Sequence, residues 1–387
     1  MRRSTWSRFP LMATAVVALL AALWGGLLRL GWSWPVFHAP LPMSHGPLII
    51  GGFLGTLIGI ERAVALDRRW AWLAPICSGI GGIFLIATGV TGPGAPLLTL
   101  GSLLLVIVFG AIIRKQTALF TVVMGLGAVA WLIGNALWLS GRAIPQVVLW
   151  WSGFLVITIV GERIELSRMV RLTAWRYATF LAALALFAGG MILSAVAFDA
   201  GMRLSGAGMV ALALWLGRYD LARRTVRKAG LTRFIALALL LGYVWLGIGG
   251  LLAMMAGGVM AGFAYDALLH AVLVGFVISM VFGHAPIIFP AVLGIPAAWN
   301  RSAYLPLVLL HLSLIVRVGG DLLESIAIRR WGGLLNAIAI LLFFGNTARM
   351  AWQAGRRAAQ IPRDSTGRCM QHPYENAAVR VGRTTYS

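Results

Sequence analysis

The 387-residue sequence predicts an all-α polytopic transmembrane helix bundle of about twelve helices, with both termini cytoplasmic. Three observations lead there. Apolar residues make up 60% of the chain and charged residues only 11%, with a mean hydropathy of +0.89, so a polar, water-facing surface cannot be assembled from it. Hydrophobic runs of spanning length recur from end to end without the period-two alternation of barrel strands. Basic residues also alternate from one connection to the next, as a membrane topology requires.

The hydrophobic segments lie at roughly 10–31, 45–61, 71–91, 95–113, 117–140, 145–161, 177–198, 201–217, 231–257, 262–288, 303–320 and 331–348. The first follows Arg2, Arg3 and Arg8 and outlasts a signal-peptide core, so it reads as an uncleaved first helix. The even-numbered connections carry Arg62/Arg68/Arg69, Arg114/Lys115, Arg163/Arg168/Arg171/Arg176, the Arg218–Arg233 cluster and Arg301. The opposite side carries only Arg29, Arg142, Arg203, Arg317, Arg329 and Arg330. The net charge of +21 is therefore a topology signal that orients the chain in a bacterial inner (plasma) membrane, and it leaves nothing for nucleic acid to explain. Residues 1–350 form the bundle, and 351–387 read as a basic, disordered cytoplasmic tail. The two cysteines, Cys77 and Cys369, exclude a disulfide framework and a Cys-rich metal site. In the tail, Cys369, Met370 and His372 form only a weak soft-metal pattern.

An internal echo links GGFLGTLIGIERAVAL (51–66) to SGFLVITIVGERIELS (152–167). Both place a Glu-Arg pair, Glu61-Arg62 and Glu162-Arg163, at the cytoplasmic end of an even-numbered helix, as duplication of a four-helix unit would. The acids either pair with neighbouring bases or relay protons; Glu165, three residues beyond Glu162, adds weight to the relay at the second site.

The histidines carry the candidate chemistry. Imidazole is a common metal and haem-iron ligand, and an ionisable group in hydrocarbon tends to have a function. His45 opens the second helix, His270 and His284 lie on the tenth, and His311 on the eleventh; His38 sits in the loop before His45. His270 and His284 share a helical face at about 21 Å, too far for one ion but suited to two stacked centres. Pro286 and Pro290 are expected to break the helix after His284. His45 and His270 fall at the same depth, in the outer leaflet. They are the leading ligand candidates, followed by His311 and His284; His38 reaches the same metal as His45 if the proline-rich turn folds back. Asp266, one turn before His270, is placed to accept its ring N–H and orient it. Arg317, about 9 Å along the helix from His311, is placed to meet haem propionates at the interface.

Three stretches resemble the NnrS family of haem- and copper-containing polytopic membrane proteins. They are His45 with Gly51, Gly52, Phe53 and Leu54; LLHAVLVGFVISMVFGHAP; and AYLPLVLLHLSLIVRV. The early cluster departs from the family pattern, since Met43-Ser44-His45-Gly46 has no Glu. The resemblance implies a twelve-helix bundle with haem, and copper beside it, acting on nitric oxide in stress relief or in respiratory redox chemistry. Two other classes remain open. One is a proton-coupled or small-solute transporter using the histidines and Asp266; the other is a membrane assembly factor without a cofactor.

Overall fold

The computed structural model describes residues 9–36, 38–167, 173–293 and 299–360. Twelve helices among them are long and apolar enough to cross a membrane. They are α1 (Phe9–Arg29), α2 (Leu41–Leu66), α3 (Arg69–Thr91), α4 (Gly94–Lys115), α5 (Leu119–Leu139), α6 (Ile144–Leu166), α7 (Ala174–Leu193), α8 (Phe198–Tyr219), α9 (Gly230–Ala256), α10 (Phe263–Ile288), α11 (Arg301–Leu322) and α12 (Ile326–Gln353). No strand forms among the described residues. A helix satisfies its own backbone where there is no water to do so, which is why each long apolar run takes this form. Where α9 ends, Gly257 takes φ +62°, a left-handed position that a glycine adopts without steric penalty.

Sequence neighbours pack against one another within two groups, α1–α6 and α7–α12, which meet where α7 touches α6, where α10 touches α2 and α6, and where α12 touches α1. Burial ranks the helices: 78% of the core window of α6 is buried and 67% of those of α2 and α10, against 33% for α1, α4 and α7. The three innermost spans thus recur every fourth helix, the arrangement a repeated four-helix unit produces. Buried polar groups tie the walls together. Trp151 Nε1 donates to Asn135 Oδ1 (2.9 Å), and Asn135 Nδ2 donates to Ser102 Oγ (3.1 Å), joining α6, α5 and α4. Such bonds hold helices together where apolar packing alone gains little over lipid.

Three details differ from the sequence expectation. The helix does not break at Pro286 or Pro290: it runs Ser279–Leu293, beyond the apolar span of α10, because packed neighbours tolerate the missing donors. Arg62, expected in a connection, lies inside α2 and is 9% exposed. The last helix continues to Gln360, ten residues past the expected boundary, since AWQAGRRAAQ is rich in strong helix formers. Cys369, Met370 and His372 lie outside the described residues.

Both α2 and α10 also contain an eight-residue π-helical stretch, Leu48–Gly55 and Ala271–Ile278. The first begins just after Pro47, which cannot supply the N–H of a regular turn. Each includes a glycine pressed against a tryptophan: a Cβ on Gly55 would lie 2.4 Å from Trp131, and one on Gly275 would lie 2.4 Å from Trp245. Wide turns of this kind often re-aim side chains at functional positions.

Candidate functional site

The two π-helical stretches each follow a histidine, and those histidines face each other. The ring centroids of His45 and His270 are 6.4 Å apart, with their planes inclined by 20°. They line a cavity of about 300 Å³ bounded by α1, α2, α6, α10, α11 and α12. His45 Nδ1 donates to the carbonyl of Ala22 (2.6 Å), and His270 Nδ1 donates to that of Asp266 (2.8 Å). A carbonyl can only accept, so both Nδ1 atoms carry the proton and the neutral rings keep their lone pair on Nε2. Gly26 makes room for this arrangement, because a Cβ there would lie 2.8 Å from the His45 ring.

Charged groups gather at the same end of the bundle. Asp266 accepts two bonds from Arg317, Nε at 2.9 Å and Nη2 at 3.0 Å. Its carboxylate lies 3.4 Å from His270 Nδ1, so the ring proton goes to the Asp266 backbone while Arg317 claims the side chain. The ring N–H that the Asp266 side chain was expected to accept is taken by its backbone carbonyl instead. Arg317 is 7% exposed and already neutralised, whereas Arg29 is exposed where it lines the cavity and Arg329 is half-buried. Asp321, one turn beyond Arg317, is 2% exposed, and Arg329 lies 3.9 Å from its carboxylate. Arg29 and Arg329 entered the sequence reading only as members of the outer-side basic set, and Asp321 was missed; its only signal was a charge near the end of a span.

The other histidines have different settings. His311 is enclosed: Trp245 Nε1 donates to its Nδ1 (3.0 Å), and its Nε2 meets Ser279 Oγ (3.2 Å). Ser279 in turn donates to the Ala238 carbonyl (2.7 Å), so Nε2 carries the proton and neither nitrogen is left over. A ring with both nitrogens engaged has none to give a metal, which removes His311 from the ligand set. His284 donates from Nδ1 to the Met280 carbonyl (2.7 Å), and its Nε2 is buried without a hydrogen-bond partner. It lines a second, smaller cavity of about 90 Å³ between α1, α2, α6 and α10, which Glu61 and Glu162 also line. His38 lines neither cavity.

The Glu-Arg pairs meet across the bundle. Arg62 donates to Glu61 (2.8 Å) and also to Glu162, and Arg163 holds Asp220 with two bonds of 2.8 Å. The two ends of the echoed sequence are therefore partners in one ion network. Among the described residues, no three His, Cys, Asp or Glu side chains converge as a metal cluster would require.

Residues 8–352 match the model of a family described as a domain of unknown function, DUF8744, and the chain belongs to that family. No curated protein matches it.

Proposed function

We propose that this DUF8744 protein is an integral membrane haem protein in which His45 and His270 would together hold one haem for electron transfer. The facing of the two imidazoles carries the reading. Two rings bound through Nε2 to opposite sides of one metal, at about 2 Å per bond, bring their centroids to roughly 6 Å; the observed separation is 6.4 Å. The donor chemistry also fits, since each Nδ1–H is fixed on a carbonyl and each Nε2 is the free base a metal requires. The cavity volume falls in the range of cofactor sites.

When bound, haem would supply one-electron redox chemistry whose potential the protein tunes. The residues of this chain do the rest. Arg29 and Arg329 offer guanidinium donors to carboxylates at the edge of the cavity. Leu23, Ile49, Val148, Leu273 and Ile340 line the apolar walls and keep water away. The Asp266–Arg317 pair fixes the start of α10 and, through the Asp266 carbonyl, the orientation of His270. Held by these two imidazole nitrogens, haem would supply electron carriage in a respiratory or nitric-oxide-response chain. By the distribution of basic residues, the Arg62/Arg163 end is cytoplasmic and this cavity faces the outer leaflet.

Purified full-length protein from haem-replete cells is expected to show a Soret band with the sharp reduced-state bands of a six-coordinate haem. A protein with no bound haem, or one that keeps it after both His45 and His270 are replaced, would reject the reading. The transporter reading has one observation in its favour, the half-buried Asp266 and buried Asp321 carboxylates beside the cavity. A proteoliposome solute flux abolished by Asp266→Asn, in protein free of haem, would establish it instead.

A further inference from the structure

We propose that a third cavity, at the opposite end of the bundle where α7 and α8 meet, binds a phosphate-bearing anion. It has a volume of about 310 Å³ and is lined by Arg176, Arg218, Arg223, Arg224 and Arg227, together with Tyr219 and Asp220. That volume corresponds to about ten water molecules, ample for a phosphate group. The one carboxylate in the wall is already committed. Asp220 accepts both bonds from Arg163 and a third from the Ala222 backbone (2.6 Å), so it offers the five arginines no compensation. No salt bridge joins any of the five to an acid among the described residues.

Topology alone requires basic residues in this connection, but it does not require them to converge on a hollow. Three of them are held there. The guanidinium of Arg176 lies 5.2 Å from the Tyr219 ring centroid and that of Arg218 lies 5.4 Å away, so one ring supports both. Arg223 Nη1 donates to the Arg218 carbonyl (3.3 Å). Arg223 and Arg224 lie in the short helix Ala222–Thr225, and Arg227 follows it in a turn, so three like charges are held within five residues. Planar, always-charged guanidinium forks match phosphate oxygens in pairs, and a phosphate carries enough charge to satisfy several at once. At the edge of a membrane, the same chemistry arrives either as an anionic lipid headgroup or as a free phosphate.

The test uses the full chain in neutral maltoside detergent, with inorganic phosphate followed by calorimetry and phosphatidylglycerol, against phosphatidylcholine, followed by native mass spectrometry. Binding of phosphate identifies a free anion as a sufficient ligand; retention of phosphatidylglycerol alone identifies the headgroup. Either affinity is expected to fall about tenfold or more in R218Q/R223Q/R224Q. It is expected to hold in R68Q/R69Q/R114Q, which removes the same charge from exposed positions outside the cavity. Should the first triple variant fail to fold, the single exposed substitutions R223Q and R227Q take its place. Equal weakening in both triple variants, or no binding of either probe to the native protein, would overturn the proposal. Neither outcome depends on haem.

Discussion

His270 and His311 sit on adjacent helices, both largely removed from lipid, and their hydrogen bonds set them apart. His311 receives a proton from Trp245 and gives one to Ser279, so its ring closes a chain of donors and acceptors across α9, α10 and α11. His270 gives one proton to a carbonyl and faces His45 at the wall of a cavity. The lesson is one of counting. A buried ring with two protein partners is structural; a pair of rings with one partner each keeps one nitrogen per ring for the proposed cofactor.

That contrast can be broken by experiment. The largest expected effect is on haem content: His45→Ala or His270→Ala should each lower Soret absorbance per mole of protein about tenfold or more, the upper reach of changes near a metal ligand. His311→Ala should keep the band, and an equal loss there would erase the distinction. Next comes Asp266→Ala, which leaves Arg317 buried without its partner and should cost about 3–5 kcal/mol of stability; a thermal melt in detergent checks it. His311→Ala follows, at about 2–4 kcal/mol, because it opens a cavity and strands the Trp245 donor. A melt indistinguishable from the native protein would show that the enclosed ring does not hold the helices. Gly26→Ala pushes a methyl group against the His45 ring and should cost about 1–3 kcal/mol, with partial loss of haem. The smallest effect is expected at His38, where alanine should leave both the Soret band and the melt unchanged.

Much of the architecture was legible along the chain. Span number, helical character and the position of each histidine along its own helix follow from hydropathy and periodicity. The site was legible only in part. His45 and His270 could be placed at one depth, but Arg317 was assigned to a cofactor when Asp266 already holds it. His311 could not be told from a ligand, because Trp245 and Ser279 lie on other helices. The π-helical stretches left no signal in the hydrophobic pattern, since runs such as LIIGGFLG are apolar on every face. The continuous passage through Pro286 and the bridging of Glu61 and Glu162 by Arg62 likewise depend on neighbours distant in sequence.

The sequence by itself determined that this is a helical membrane protein, how many times it spans, and which few polar groups are sunk into the spans. Those properties are local and additive: each run of apolar residues answers for itself to the absence of water. Tertiary structure alone decided which histidines meet and which are closed off. That outcome rests on glycine contacts, two widened turns and the capture of ring protons by particular carbonyls, all set by how α1, α2, α10 and α11 pack.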